Sequence, residues 1–350
     1  MRLVPEAETD ALDTRRIFVG TNREIEPDGR FGPERAAGIR FLKYDIAIPP
    51  GHVPGQLQWP SPGREPDLSR TFVATGIESF ADPAGFRHSL RAELAAQPSG
   101  HRDAVIFVHG YNTRHAEGIF RLAQLGHDLQ MPGVKVHFAW PSAGRPMVYA
   151  YDRDSALFSR DRLEALLSEV AAVGPDRIIL VAHSMGTLLT METLRQMAVG
   201  GRADLMARLG GVVLIAPDLD VDVFRAQAER IEELPRPFLI VSSRRDRVLR
   251  ISGLLTGRHE RLGRIGGVDT LADLDVTVVD VSAFAAGLGH FTLGDSPALI
   301  RIVEGIDDID DAFGQDPASR PGLLPGTAMT VRRATQIVLS PLEELGQGDP

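Results

Sequence analysis

The amino-acid sequence predicts an α/β fold, a doubly wound and mostly parallel sheet with helices on both faces and an antiparallel N-terminal start. Three observations carry this. From Asp103 onward, short unbroken apolar runs alternate with longer segments of helical period, the pattern of strands buried on both faces by crossover helices. One of those runs, Ile178-Ile179-Leu180-Val181-Ala182, leads through a serine directly into an apolar helical segment. The 350 residues, 43% hydrophobic and 24% charged, suffice for one large domain with additional segments.

In chain order, residues 1–100 hold β-like runs at 16–20, 40–48 and 70–75, separated by Pro49-Pro50-Gly51 and Pro60-Ser61-Pro62-Gly63. They are expected to form a β-rich, loop-rich extension that joins the sheet. Residues 101–314 form the expected core, with strands at 104–108, 135–140, 177–182, 212–216, 237–241 and 276–281. Helices are expected at 113–129, 155–173, 185–199, 221–234 and 296–313. Residues 315–350, rich in Pro and Gly with one β-like run at 335–339, form a C-terminal tail.

A formal net charge of −9 opposes attraction to a phosphate backbone, so no nucleic-acid partner is expected. The chain contains no cysteine, which excludes disulfides, thiolate catalysis and cysteine-bound metal. No apolar run reaches the length of a transmembrane segment, and Met1 to Arg15 carry acids where a signal peptide needs an apolar stretch. The expectation is a soluble protein, cytoplasmic if the chain is complete, periplasmic or secreted if a leader has been removed.

Chemistry centres on Ala182-His183-Ser184-Met185-Gly186, a G-x-S-x-G nucleophile elbow with Ala in the first place. A sharp strand-to-helix turn lifts the serine hydroxyl above the sheet, and side chains larger than Ala or Gly at the flanks would meet neighbouring backbone. The following helix offers its unpaired N–H groups to a developing oxyanion. A serine here could also serve only as a helix cap, but capping gives no reason for the small flanks. The hydroxyl needs a base that titrates near neutrality, which means histidine. With the order Ser, acid, His, only His259 and His290 qualify among ten histidines. His290 stands in Gly287-Leu288-Gly289-His290-Phe291 after the last core strand, whereas His259 stands in an Arg-rich stretch, so position favours His290 as the general base.

The acid that orients the histidine is expected to be Asp246, which follows the strand at 237–241. Three neighbouring arginines leave it an ordinary ion-pair reading, and Asp218, one strand earlier in Ala216-Pro217-Asp218-Leu219-Asp220, is the alternative acid. The oxyanion hole is assigned to the backbone N–H groups of Met185 and of Tyr111, the latter in Val108-His109-Gly110-Tyr111-Asn112. Trp140, Tyr149 and Tyr151 wall a pocket or belong to the core. The segment 251–274 is longer than an ordinary loop, and the sequence leaves open whether it is a flap over the site; its arginines hint at an anionic substrate. Asp307-Asp308-Ile309-Asp310-Asp311 lacks the EF-hand pattern, and the two lysines, Lys43 and Lys135, fit neither S-x-x-K nor Walker A. His127 and His137 form no H-E-x-x-H motif, so neither cofactor nor metal is expected.

Phe107-Val108-His109-Gly110-Tyr111-Asn112, Phe138-Ala139-Trp140-Pro141-Ser142, the elbow, and Leu214-Ile215-Ala216-Pro217-Asp218-Leu219-Asp220 together resemble a bacterial α/β-hydrolase family of unknown function, DUF900. Val19-Gly20-Thr21-Asn22-Arg23 and Ile48-Pro49-Pro50-Gly51-His52 resemble its opening segment. The resemblance covers about 16–313, and departs at Tyr44-Asp45, where the family usually has Tyr-Gly. It implies the α/β-hydrolase fold and a Ser–Asp–His triad, and leaves the substrate open.

The expected activity is a serine hydrolase, esterase- or lipase-like, that cleaves carboxylic esters of small molecules or lipids through an acyl-enzyme. Acyl transfer and thioester or lactone cleavage use the same parts. A non-catalytic hydrolase-fold binding module is the competing class, because a fold alone does not imply chemistry. Oligomeric state is not readable from these patterns.

Overall fold

The structure, a computed structural model, describes residues 3–4, 12–60, 64–257, 260–285, 289–290, 292–296 and 326–339. His259, the acidic run at 307–311 and the helix expected at 296–313, apart from Ser296, lie outside the described residues. The elements are β1 (Asp13–Ile25), β2 (Phe31–Ile48), β3 (Val73–Phe80), α1 (Pro83–Ala95), β4 (Ala104–Val108), α2 (His115–Asp128), β5 (Val134–Ala139), α3 (Tyr149–Phe158), α4 (Arg160–Val173), β6 (Ile178–His183) and α5 (Met185–Val199). They continue with α6 (Ala203–Met206), β7 (Leu209–Ile215), α7 (Val221–Ile231), β8 (Phe238–Ser242), α8 (Arg247–Leu255), β9 (Thr277–Asp280), α9 (Thr292–Asp295), β10 (Gly326–Val331) and β11 (Ala334–Leu339).

Among the described residues, eleven strands form one sheet in the order β10-β11-β9-β8-β7-β6-β4-β5-β1-β2-β3. The central strands are parallel, and β1 continues them by pairing parallel with β5 while β2 and β3 add antiparallel. On the far edge, β11 pairs parallel with β9 and carries β10 as a hairpin. From β4 the chain moves one way to β5, and from β6 it moves the other way through β7, β8 and β9. The loops after β4 and β6 therefore diverge, and the crevice at such a switch point is where open α/β sheets hold ligands.

Strand β4 shows why the central runs lack polar alternation. Ile106 and Val108 face a cluster with Phe86 and Leu90 of α1, Leu166 of α4, Leu189 of α5 and Phe224 of α7. Val105 and Phe107 face the other side, against Ile119, Phe120 and Leu122 of α2 and Leu249 of α8. Successive side chains alternate faces, and here both faces are covered, so every position is apolar. No helix among the described residues is long and apolar enough to cross a membrane.

Several elements differ from expectation, α8 and strand β10 among them, neither of which was expected. Helix α1 lies in a stretch expected to be β-rich: Asp82 caps it, accepting from the Gly85 N–H at 2.9 Å, Pro83 opens it, and Phe86, Leu90 and Leu94 form its buried stripe. The single helix expected at 155–173 is divided into α3 and α4 at Ser159, whose hydroxyl donates to the Ser155 carbonyl at 2.7 Å and accepts from Asn22 at 3.0 Å. The described part of 251–274 is anchored to the body of the protein. Its start belongs to α8, and Leu262, Ile265, Val268 and Leu271 are buried in the core, which ties it down.

Candidate active site

Ser184 sits between β6 and α5 with φ 52° and ψ −123°, a left-handed φ that costs a non-glycine residue about 1–3 kcal/mol. Surrounding backbone enforces it. A Cβ on Gly186 would lie 2.4 Å from the His109 carbonyl oxygen and 2.6 Å from that of Val108, so the turn closes against the end of β4 only because that side chain is absent. Gly110 approaches from the opposite side: its Cβ would be 2.8 Å from the Ser184 Cβ. Both glycines serve the close approach of the β4 loop to the elbow.

The Ser184 hydroxyl lies 3.0 Å from His290 Nε2, and His290 Nδ1 lies 2.8 Å from Asp246 Oδ2. Because a carboxylate only accepts, Nδ1 carries the proton and Nε2 is left to accept from the serine hydroxyl. Asp246 is buried, its other oxygen caps α8 by accepting from the Leu249 N–H at 2.9 Å, and the neighbouring Arg244 pairs with Asp280 instead. Gly289 has a φ of +65°, which turns the chain so that His290 meets both partners. The loop is held from behind by α2: Arg121 pairs with Asp295 at 2.8 Å and Gln124 donates to the Gly294 carbonyl at 3.2 Å. The His183 ring lies 4.9 Å from the His290 ring, and burial, with the Arg121 charge adding to it, holds His183 far below the usual histidine range, hence uncharged.

Asp218 stands apart from His290. Its carboxylate accepts from the Tyr149 hydroxyl at 2.9 Å and from Ser252, and pairs with Arg261 at 3.4 Å. Burial, with the Asp218 charge second, pushes the Tyr149 phenol up to about 12. The backbone of Asp218 nevertheless touches the elbow, its N–H donating to the Ser184 carbonyl at 3.3 Å.

Met185 is the first residue of α5, and Tyr111 follows β4 across from it. Among the described residues, neither N–H donates to a backbone carbonyl in a turn, loop or cap. The Tyr111 loop is braced by residues that sequence reasoning did not single out. Asp152 accepts from the Asn112 N–H at 3.0 Å, the Ala143 N–H at 2.7 Å and the Ser142 hydroxyl at 2.6 Å. The buried Arg23 guanidinium donates to the carbonyls of Ser142, Gly32 and Thr113. Burial pulls Arg23 down to about 10, a shift that the Asp152 charge moderates. The one signal in sequence was Arg23 lying in the family-like opening segment. Trp140 is core, stacked on His109 with ring centroids 4.8 Å apart; Tyr149 packs on Tyr111 at 5.6 Å; Tyr151 turns away to the Pro33 carbonyl.

Away from the elbow, His52, His127 and Asp128 bring ligand-type atoms within 4.8 Å of one another. Arg15 donates to His127 Nδ1 at 3.2 Å, and Asp128 accepts from His52, Gln124 and the Gly55 N–H. A guanidinium beside the ligand nitrogen and a carboxylate already taken by N–H donors fit a polar clamp better than a cation.

Residues 83–306 match the family described as alpha/beta hydrolase of unknown function, DUF900. The chain belongs to this family. It is therefore an α/β hydrolase, and the sheet order, the elbow and the family agree. An uncharacterized protein of Nostoc sp. strain PCC 7120 is 38% identical over 63 residues, which are 18% of this chain and 16% of that protein. Among solved structures, a Rhizomucor miehei esterase is 15% identical over 86% of this chain and 83% of its own, with a TM-score of 0.38. Aspergillus fumigatus lipase B is 14% identical over 44% of this DUF900 chain and 41% of its own, with a TM-score of 0.30. Phospholipase PlaB from Legionella pneumophila is 16% identical over 40% and 38%, with a TM-score of 0.24. At these scores the likeness is loose, and the assignment rests on the family match.

Proposed function

We propose that this DUF900 hydrolase is a serine esterase that cleaves carboxylic esters through an acyl-enzyme. The observation that carries the reading is the relay Ser184 Oγ, His290 Nε2, His290 Nδ1, Asp246 Oδ2, with contacts of 3.0 and 2.8 Å beside a strained elbow. In this reading Ser184 attacks the ester carbonyl while His290 takes its proton, and Asp246 holds the ring and steadies the imidazolium. The oxyanion is received by the N–H groups of Met185 and Tyr111. As the tetrahedral intermediate collapses, the bond to the alcohol oxygen breaks and His290 protonates that oxygen. Water then adds to the acyl-serine by the same steps, releasing the acid and restoring Ser184.

The test is turnover of p-nitrophenyl esters of graded chain length by the full chain and by Ser184→Ala, with mass spectrometry after a fluorophosphonate probe. Turnover is expected to fall by roughly 10³-fold or more, with loss of the covalent adduct. A folded wild type that neither labels nor cleaves any ester would overturn the esterase reading and favour a binding module.

A further inference from the structure

The outer face of α8 has a composition that the reaction does not explain. With Leu249, Ser252 and Gly253 packed inward, the helical period puts Arg247, Arg250, Ile251 and Leu254 together on the solvent side. Ile251 and Leu254 are 55% and 57% exposed. Met147, on the loop entering α3, is 96% exposed and held at a left-handed φ of 75°, which projects an apolar side chain into solvent. That loop and α8 are neighbours, because the Tyr149 hydroxyl lies 3.2 Å from Ser252 Oγ. Arg145 is exposed beside Met147, as are Arg244 and Arg245 ahead of α8. Between 244 and 257 the single acid is the buried Asp246.

A cationic and apolar face on a chain of net charge −9 is a local reversal of the molecule's field. We infer that α8 and the 145–147 loop form an interfacial surface that docks the protein on an anionic phospholipid bilayer. Arginines at headgroup depth, with Ile and Leu between them, are what such a surface requires. A second copy meets the chemistry poorly, because a two-fold contact sets this face against itself, arginine against arginine. The surface also joins the site from outside: Asp246 caps α8, and Ser252 on its inner face bonds Asp218, whose N–H reaches the Ser184 carbonyl. A bilayer held there brings lipid esters next to the elbow, while docking itself needs no reaction at Ser184.

The experiment is co-sedimentation of the full chain carrying Ser184→Ala with vesicles of equal parts phosphatidylglycerol and phosphatidylcholine, and with vesicles of phosphatidylcholine alone. Binding is expected to the anionic vesicles only, and to weaken with salt. Added Ile251→Ser with Leu254→Ser, or Arg247→Gln with Arg250→Gln, is expected to lower the partition coefficient by about tenfold or more. The same surface changes in the Ser184 background should leave hydrolysis of a water-soluble short-chain ester unchanged, which reports folding and the esterase reading separately. Absence of binding to anionic vesicles, or variants that bind as the parent does, overturns the inference. So does a dimer in sedimentation velocity that the Ile251 and Leu254 changes dissociate, with no vesicle binding.

Discussion

Asp246 and Asp218 are buried aspartates at the C-terminal ends of neighbouring strands, and only their partners separate them. Asp246 gives one oxygen to His290 and the other to a helix N–H; Asp218 is consumed by Tyr149, Ser252 and Arg261. Asp246→Asn presents an amide to Nδ1 and favours the wrong tautomer, so kcat is expected to fall by about 10³–10⁴-fold with little change in fold. Asp218→Asn should leave kcat within about threefold but strand the buried Arg261 charge, lowering unfolding free energy in urea by about 3 kcal/mol. The reverse pattern would make Asp218 the orienting acid. Each follows an apolar strand and precedes a helix, so the sequence prefers Asp246 only by its place one strand before the histidine's, against three neighbouring arginines that offer it another role.

At the scale of elements, the site is held by pieces distant in sequence. The loop after β4 is fixed by Arg23 from β1 and Asp152 from α3, and the chain after His290 by Arg121 and Gln124 from α2. Loosening the first brace should misplace the Tyr111 N–H without touching bound substrate. Asp152→Asn and Arg23→Met are therefore expected to lower kcat by about tenfold or more, leave KM near its starting value and slow fluorophosphonate labelling in parallel. An unchanged kcat in a folded variant would remove the brace from the mechanism. The element boundaries show what local pattern carries. Helix α5 and strand β4 were legible to the residue, because propensity, period and burial agree there. Helix α1 was readable too, from Asp82-Pro83 and the spacing of Phe86, Leu90 and Leu94, but the Pro- and Gly-rich surroundings masked it. The break at Ser159 was not, because Asn22, its partner, is 137 residues away in sequence.

For the whole molecule, the packed interior dictates a dependence on acid. His109, His115, His137 and His183 are held below the usual histidine range, His137 at about 3, burial being the main cause in each. Above about pH 6.5 these groups are neutral whether the chain is folded or not. Below it the unfolded chain takes up protons that the folded chain refuses, so stability falls as pH falls. Between about pH 6.5 and 5.5 the loss should reach roughly 4 kcal/mol, about 1 kcal/mol for each of the four rings, measured as a falling urea midpoint. His137→Gln should make that fall shallower by about 1 kcal/mol. A midpoint that stays flat over this range would mean that these rings titrate normally in the folded state.

By itself the sequence determined the α/β class, the central strands and the strand–serine–helix junction, because each depends on residues close along the chain: unbroken apolar runs, helical period and small residues beside a turn. Tertiary structure decided which aspartate meets His290, how Arg23 and Asp152 brace the loop after β4, and that β11 and β10 extend the sheet beyond β9. It also decided that Leu262, Ile265, Val268 and Leu271 pack into the core, while Ile251 and Leu254 on the outer side of α8 stay in solvent. Those outcomes turn on contacts between residues dozens to more than a hundred positions apart. A one-dimensional pattern records that a residue is polar or apolar, but not which distant group it will face.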